Sequence, residues 1–173
     1  EFVERGITMP KSKVFITRQL PKIDLEPLHQ IAEIEIWTEK QPPPYSLLLD
    51  KVKEIDGLLC LLTDSIDREL IETGKSLKVI SQMAVGYDNI DIAAATRARI
   101  PVGHTPGVLT ETTADFAWAL IMAAARRVVE ADSEVRSGIW QPWGPDVLTG
   151  VDVYGKTLGI IGFGRIGKAV ARR

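Results

Sequence analysis

The stretch KTLGIIGFGRIGKAVA occupies residues 156–171, and the rest of the chain is best understood by working outward from it. Its apolar run Leu158–Ile161 predicts a buried strand, and Ile166 and Val170 then recur at helical spacing. Between these segments, glycines stand at positions 162, 164 and 167. This Gly-x-Gly-x-x-Gly pattern between a strand and a helix is typical of dinucleotide binding. The stretch therefore predicts the first strand and helix of a Rossmann domain.

Each glycine of this pattern has its own physical task. Gly162 allows the tight turn, Gly164 lets the backbone approach a pyrophosphate, and Gly167 lets the helix pack closely on the strand. The phosphates then meet free N–H groups and the positive end of the helix dipole. The acidic residue that contacts the ribose lies roughly 20 residues further along such domains. We therefore interpret the chain as the front part of a longer enzyme.

Upstream of this stretch, strand and helix patterns alternate four times. The more apolar strands are continuous apolar runs, which indicates a parallel sheet covered by helices on both faces. The pattern predicts a flavodoxin-like α/β domain for this part of the chain. The predicted strands are Lys13–Thr17, Glu33–Trp37, Gly57–Leu62, Leu77–Ser81 and Ile100–Val102, and the predicted helices are a segment from Asp24 through Ala32, one marked by Leu48, Leu49, Val52 and Ile55, Asp67–Thr73, and Asp91–Ala98.

From Thr110 onward the character of the sequence changes. The segment 112–128 predicts a helix that is apolar on nearly every side, as a helix buried between two domains or two subunits would be. Thr112 and Asp115 stand at capping-box spacing, and a polar helix is predicted over 130–137. A proline-rich loop follows, with tryptophans at positions 140 and 143. The predicted boundaries are 10–109 for the substrate domain, 110–150 for interdomain or dimerisation helices, and 151–173 for the start of the Rossmann domain.

Composition excludes several function classes. The 173 residues carry a net charge of −2, so no general attraction to nucleic acid or anionic membranes is expected. There is no signal peptide and no apolar run of transmembrane length. The single cysteine, Cys60, lies in an apolar run and predicts a buried thiol, as in a reducing, cytoplasmic environment. Two histidines and one cysteine are too scattered for a metal site.

Two places could carry chemistry near the predicted strand ends. The loop QMAVGYDNID, residues 82–91, fits either a backbone anion nest or an ordinary turn that feeds the next helix, capped by Asp91. His104 follows the fifth strand, where a general base is conceivable. It has no orienting partner adjacent in sequence, so a structural or cofactor-lining role is favoured. His29 receives no role.

Three separated motifs then suggest a family. AVGYDNID at 84–91, TPGVLTETTAD at 105–115 and GFGRIG at 162–167 stand in an order and spacing that resemble D-isomer-specific 2-hydroxyacid dehydrogenases. Within that family, GLLCLLTD at 57–64 and the two tryptophans make the chain most similar to glyoxylate/hydroxypyruvate reductases. The resemblance extends from Lys13 to Arg173. One departure is His104, at a position where the wider family often has Asn before Thr-Pro.

The resemblance implies roles for particular residues. The backbone of Val85 and Gly86 would hold the carboxylate of a 2-keto acid, and Thr113 would lie beside the nicotinamide of NADP or NAD. Trp143 would reach the substrate site of the other subunit in a homodimer. The family's catalytic arginine, glutamate and histidine would lie beyond residue 173, which leaves no catalytic residue within this chain. The cofactor-binding residues implied are Gly162, Phe163, Gly164, Arg165, Ile166 and Gly167.

The function expected from this resemblance is NAD(P)H-dependent reduction of glyoxylate or hydroxypyruvate by the full-length protein, while these 173 residues alone would be inactive. Two alternatives stay open. One is a phosphoglycerate dehydrogenase, a near variant of the same chemistry. The other is a dinucleotide-sensing, corepressor-like interaction protein, because related corepressors keep this fold. The near-neutral charge favours the enzyme.

Overall fold

Five parallel strands form the sheet of the protein. The computed structural model describes residues 10–20, 25–139 and 142–173, and its strands follow the order β2-β1-β3-β4-β5. This all-parallel order is that of flavodoxin-like sheets, which confirms the predicted fold class. Along the chain the elements are β1 (Ser12–Ile16), α1 (Glu26–Ile31), β2 (Ala32–Ile36), α2 (Tyr45–Lys51), β3 (Gly57–Cys60), α3 (Arg68–Thr73), β4 (Val79–Gln82), α4 (Ile92–Ala98) and β5 (Val102–Gly103).

Three further helices follow the sheet: α5 (Thr110–Ala125), α6 (Val128–Ser137) and α7 (Arg165–Arg172). The chain divides between Pro106 and Gly107 into two compact units. We call the part up to Pro106 the sheet unit and the part from Gly107 the helical unit. Each unit is described by itself.

The core of the sheet unit lies between the central strands and α2, α3 and α4. Phe15 in β1 pairs in register with Leu58 in β3, which pairs with Ile80 in β4. All three side chains are almost wholly buried, as expected for strands covered by helices. The helices complete this cluster with Leu48, Leu70, Ile71, Ala94 and Ala95.

The first helix is shorter than its sequence pattern indicates. The pattern predicts helix from Asp24 through Ala32, but α1 ends at Ile31, and Ala32 begins β2 in register with Ser12. Asp24 lies outside the described residues. The prediction is wrong at Ala32 because pairing with β1 supplies backbone hydrogen bonds that a last helical turn lacks. Val52 and Ile55 similarly lie just past the end of α2, although both are buried.

The predicted starts of α3 and α4 are confirmed at both caps. The Asp67 carboxylate accepts from the N–H of Leu70 over 3.0 Å, and that of Asp91 accepts from Ala94 over 2.8 Å. Each bond satisfies an N–H that a helix leaves without an intrahelical partner. The helices that follow β3 and β4 therefore begin where the sequence indicates.

The long apolar helix predicted over 112–128 is interrupted. Its last helical residue is Ala125, and Arg127 takes a left-handed conformation with φ of 51° before α6 begins at Val128. The predicted capping box is also wrong. Thr112 lies inside α5, where its hydroxyl donates to the Leu109 carbonyl. Hydroxyl bonding to a carbonyl of the preceding turn is a common alternative to capping.

The predicted strand at Leu158–Ile161 is absent from the described residues. Leu158 is half exposed and Ile161 is fully exposed, so the segment is neither a strand nor buried. A strand forms only when a neighbour takes up its backbone hydrogen bonds. All five strands described in the chain lie in the sheet unit. The apolar run therefore stays unpaired.

Candidate functional site

The loop between β4 and α4 leaves the sheet at its carboxyl edge. The N–H of Thr105 donates to the Ala84 carbonyl over 2.9 Å, which ties the loop to the segment after β5. The N–H groups of Val85 and Gly86 have no hydrogen-bond acceptor among the described residues. A Cβ placed on Gly86 would meet only the tip of Leu62, at 3.7 Å. The loop therefore presents open backbone donors at the edge where parallel sheets bind ligands.

Beneath this loop, Gln82 links the sheet to the loop backbone. Its side chain is fully buried. Nε2 donates to the Gly86 carbonyl over 3.3 Å and to Oδ1 of Asn89 over 2.7 Å, and Oε1 accepts from the Cys60 thiol over 3.1 Å. The single amide thus joins β3 and β4 to two positions in the loop.

Asn89 and Asp64 extend the same buried network toward β1. Nδ2 of Asn89 donates to the carbonyls of Leu61 and Asp64, over 3.1 and 2.8 Å. One carboxylate oxygen of Asp64 accepts from the Thr17 hydroxyl and from the N–H of Leu61. The other oxygen has no hydrogen bond among the described residues and faces Nη2 of Arg18 at 3.8 Å.

The motifs and spacings of the sequence do not indicate this network. Its members lie far apart in the chain, and none has a metal-ligand or catalytic spacing. One signal was present: Thr17, Asp64 and Gln82 are polar residues placed at or just after the ends of apolar strands. Buried polar groups need hydrogen-bond partners, so polar residues at three neighbouring strand ends indicate a shared network.

Cys60 is a buried structural thiol, as predicted. Its side chain is fully buried, and burial raises the pKa of the thiol to about 12, with a smaller contribution from the Asp64 carboxylate. A reactive cysteine needs exposure and a lowered pKa. The thiol therefore serves the Gln82 network as a hydrogen-bond donor.

His104 contacts the same loop from the segment after β5. Its Nδ1 lies 2.9 Å from the Val85 carbonyl oxygen, and its ring meets that of Tyr87 edge-on, with centroids 5.1 Å apart. The sequence favours a structural or cofactor-lining role over a general base. The contact with Val85 is a structural one, between a side chain and the backbone of the candidate substrate loop.

In the helical unit, the glycine turn has the geometry that its pattern predicts. Gly162 has φ of +94°, a conformation that L side chains rarely adopt. The backbone then extends at Gly164, the residue before α7, where nothing lies within 4 Å of an added Cβ. A Cβ at Gly167 would instead clash with the Gly162 carbonyl oxygen. Gly164 faces open space, whereas Gly167 permits close packing of helix on turn.

The first half of α5 and the end of α7 are joined by hydrogen bonds and ion pairs. Nε1 of Trp118 donates to the Val170 carbonyl over 2.9 Å. Arg173 bonds Asp115 at 2.6 Å and Glu111 at 3.0 Å, and its hydrogen bond is the main cause that lowers the pKa of the Glu111 carboxyl. These contacts attach α7, and with it the glycine turn, to α5.

The structure distributes the predicted site residues between the two units. Val85 and Gly86 lie together in the sheet unit. Thr113, in the first turn of α5, and Trp143, which is 88% exposed, belong to the helical unit with the glycine turn. Trp140 lies outside the described residues. No group of three histidine, cysteine or acidic side chains within the described ranges could hold a metal ion. None of the helices described is long and apolar enough to cross a membrane.

Comparison with known proteins agrees with these features. A family model described as "D-isomer specific 2-hydroxyacid dehydrogenase, catalytic domain" matches residues 14–154. A glyoxylate reductase of Korarchaeum cryptofilum is 54% identical over 164 residues, which are 94% of this chain and 49% of that relative. The chain thus spans about half the length of the curated relatives it matches.

Solved structures give the same match. A protein of Thermus thermophilus superposes with a TM-score of 0.87 at 45% identity, over 92% of this chain and 51% of that one. The NADPH-dependent glyoxylate/hydroxypyruvate reductase of Sinorhizobium meliloti, solved with NADP and malonate, gives a TM-score of 0.74 at 27% identity. That match covers 94% of this chain and 50% of the reductase.

Proposed function

Because the chain belongs to the D-isomer specific 2-hydroxyacid dehydrogenase family, we propose that the whole protein reduces small 2-keto acids to 2-hydroxy acids. Glyoxylate and hydroxypyruvate are the proposed substrates, and NADPH or NADH is the proposed hydride donor. The observation that carries the proposal is the pair of open N–H groups at Val85 and Gly86, on the carboxyl edge of the sheet. The identity of about half to glyoxylate reductases supports it.

The substrate is held by its carboxylate. The N–H groups of Val85 and Gly86 would donate to the carboxylate oxygens, and such charge-assisted bonds are stronger than neutral ones. Gly86 carries no side chain that would cover these donors. The carboxylate held in this way would orient the keto carbon of a small substrate for reaction.

The helical unit supplies residues that fit a dinucleotide. The open space around Gly164 suits a pyrophosphate, and the first N–H groups of α7 lack intrahelical acceptors. When bound, the reduced nicotinamide supplies the hydride that the keto carbon accepts. Thr113 is proposed to lie beside the nicotinamide end. The residues proposed to hold the cofactor are Gly162, Phe163, Gly164, Arg165, Ile166 and Gly167.

Proton transfer and polarisation of the keto oxygen are proposed to come from parts of the whole protein that lie beyond this chain. His104, the histidine at the carboxyl edge, already has Nδ1 against the Val85 carbonyl. Thus no residue in the chain is proposed as catalytic. The 173 residues alone are expected to be inactive.

The deciding experiment compares the whole protein with the 173-residue chain. Glyoxylate-dependent oxidation of NADPH or NADH is measured for both by the absorbance of the reduced nicotinamide. We expect turnover with the whole protein and none with the chain. A whole protein that reduces neither glyoxylate nor hydroxypyruvate would contradict the proposed function. Turnover by the chain alone would contradict only the assignment of catalytic groups elsewhere.

We also propose a two-fold homodimer built largely from residues 110–150. In the helical unit, Phe116 and Leu120 of α5 are more than half exposed, and Trp143 is almost fully exposed. Apolar and aromatic residues of this kind are enriched in the buried centres of interfaces. An obligate interface commonly buries roughly 2,000 Å² or more in total. Sedimentation that finds a stable monomer of the whole protein at micromolar concentration would overturn the proposal.

A cytoplasmic location is proposed from the cysteine. Cys60 is free and buried, and the chain holds no second cysteine to form a disulfide. Such usage suits a reducing compartment. Fractionation that places the protein in an oxidising compartment would contradict this proposal.

A further inference from the structure

Successive carbonyl groups of the loop after β4 have hydrogen-bond donors that come from outside the loop. Nδ1 of His104 lies 2.9 Å from the Val85 oxygen. Nε2 of Gln82 donates to the Gly86 oxygen. The preceding carbonyl, that of Ala84, accepts from the N–H of Thr105. Each peptide plane along the open part of the loop is therefore anchored at its oxygen.

The planarity of the peptide bond turns these contacts into an orientation of the N–H groups. In a trans peptide plane, the C=O of one residue and the N–H of the next point in opposite directions. Anchoring the Val85 oxygen therefore orients the N–H of Gly86, and anchoring the Gly86 oxygen orients the N–H of Tyr87. The N–H of Gly86 is one of the two proposed donors to the substrate carboxylate.

We propose that His104 is a positioning residue for the substrate: by donating to the Val85 carbonyl, it holds the N–H of Gly86 toward the carboxylate of a small 2-keto acid. Gln82 anchors the neighbouring peptide plane, between Gly86 and Tyr87. This inference rests on the proposed function of the loop. A carbonyl oxygen only accepts hydrogen bonds, so the contact assigns the proton to Nδ1 of His104.

The surroundings of His104 keep the imidazole in place for this task. Its ring meets Tyr87 at an interplanar angle of 84°, the edge-to-face arrangement that aromatic pairs prefer. The imidazole is thus held both by the contact of Nδ1 with the Val85 carbonyl and by the edge-to-face contact with the Tyr87 ring. Tyr87 follows Gly86 directly in the loop. The loop whose backbone His104 orients therefore also supplies the ring that keeps His104 in place.

The hydrogen bond from His104 to the Val85 carbonyl affects the N–H of Gly86 in two ways. A hydrogen bond to C=O polarises the peptide group, which strengthens its N–H as a donor. A donor that is already oriented also needs no rearrangement when the anion binds. Without His104, the plane between Val85 and Gly86 would lose its anchor on the exposed side, and part of the binding free energy would go into ordering it.

The test uses the whole protein with three substitutions. His104→Ala removes the donor, His104→Asn restores an amide N–H that can reach a carbonyl, and His29→Ala is the matched control on the exposed helix α1. The readouts are kcat and KM for glyoxylate, KM for NADPH, Tm, and the inhibition constant of oxalate, a dicarboxylate that accepts no hydride. His104 is exposed, so His104→Ala is expected to fold.

For His104→Ala we expect KM for glyoxylate and the oxalate constant to rise on the order of tenfold, the loss of one oriented hydrogen bond. We expect kcat, KM for NADPH and Tm to stay near the parent values. His104→Asn should recover most of the loss, and His29→Ala should behave as the parent.

Unchanged KM and oxalate binding in His104→Ala would overturn the inference while leaving the proposed function intact. A fall in the Tm of His104→Ala large enough to explain its higher KM would also overturn the inference. His104 would then stabilise the fold and not position the substrate. A parent protein that neither reduces glyoxylate nor binds oxalate would overturn the proposed function, and this inference with it.

Discussion

The sheet unit encloses a core of fully buried apolar side chains, whereas the described part of the helical unit leaves most of its own exposed. Phe15, Leu58 and Ile80 in the sheet unit are at most 2% exposed. In the described part of the helical unit, only Ala114 and Ala169 are buried apolar residues. Ile161, by contrast, is fully exposed. Both units contain many apolar side chains, but they bury them to very different degrees.

The difference follows from how each unit covers its surfaces. Parallel strands are joined by crossover connections that usually contain a helix, and these helices cover the sheet. Five such strands and their connections can therefore enclose a core. The helical unit has α5 packed against α6 and α7, and three helices in that arrangement leave several apolar faces uncovered. The apolar core of the sheet unit is thus covered within that unit, whereas most apolar side chains in the described part of the helical unit are not covered within theirs.

The largest expected effect tests the core of the sheet unit. Leu58→Ala should lower the free energy of unfolding of the chain by about 2–5 kcal/mol, because it leaves a cavity beside Phe15 and Ile80. The control is Tyr154→Ala in the helical unit, a fully exposed residue outside the proposed interface, whose loss should cost at most about 0.5 kcal/mol. Urea denaturation measures both. Equal decreases in the free energy of unfolding for the two variants would contradict the difference in burial between the two units.

The next prediction concerns the open side of the glycine turn. In the whole protein, Gly164→Val should weaken NADPH binding on the order of tenfold to a hundredfold, because the side chain would occupy space that is open in the structure. Gly164→Ala, the graded control, should weaken it less. Titration of the nicotinamide fluorescence gives both dissociation constants. If Gly164→Val binds NADPH as the parent does, the turn is not the phosphate site.

A smaller effect is expected at the exposed tryptophan. Trp143→Ala in the whole protein should change KM for glyoxylate, or the preference between glyoxylate and hydroxypyruvate, by a few-fold, if Trp143 reaches the partner's substrate cleft. Tyr154→Ala is the matched control, since Tyr154 is similarly exposed. Steady-state kinetics with both keto acids measures the effect. An unchanged substrate profile in Trp143→Ala would remove this role.

The smallest effect is a pH dependence within the sheet unit. The Asp56 carboxylate pairs with Lys78 Nζ and accepts from the N–H of Lys13, each over 2.8 Å, and the Lys78 hydrogen bond is the main cause that lowers its pKa. A group whose pKa is lower in the folded state stabilises the fold above its unfolded pKa, and that stability is lost as pH falls through the folded pKa.

Asp56→Asn should therefore be less stable than the parent at neutral pH, and the difference should shrink as the pH falls below the ordinary range of aspartate. Urea denaturation across that range measures it, with the exposed Asp50→Asn as control. A difference between parent and variant that stays constant down to strongly acidic pH would show that the carboxylate charge is not responsible.

Much of the fold could be predicted from local pattern. The alternation of apolar strands with helices indicated a parallel α/β sheet, and Asp67 and Asp91 marked helix starts that the structure bears out. The prediction that Cys60 is buried is confirmed. These predictions succeed because strand burial, N-capping and thiol burial depend on residues that are adjacent in the chain or on the general chemistry of one side chain.

The candidate site was predictable only in part. Its backbone loop at Val85 and Gly86 was marked by motif and by position after a strand. The side chains that hold the loop were not, because His104 and Gln82 act on it through carbonyl groups that every residue has. A sequence pattern does not reveal which carbonyl a side chain meets.

What the sequence determined by itself is the family, the order of the elements in the sheet unit and the glycine turn, because these depend on residue type and spacing. Tertiary structure alone decided that Leu158–Ile161 forms no strand, since a strand requires a paired neighbour. It also decided that Thr17, Asp64 and Asn89 share one buried network with Gln82. These residues come together only because parallel strands end at one edge of the sheet, where buried polar groups must find partners in each other.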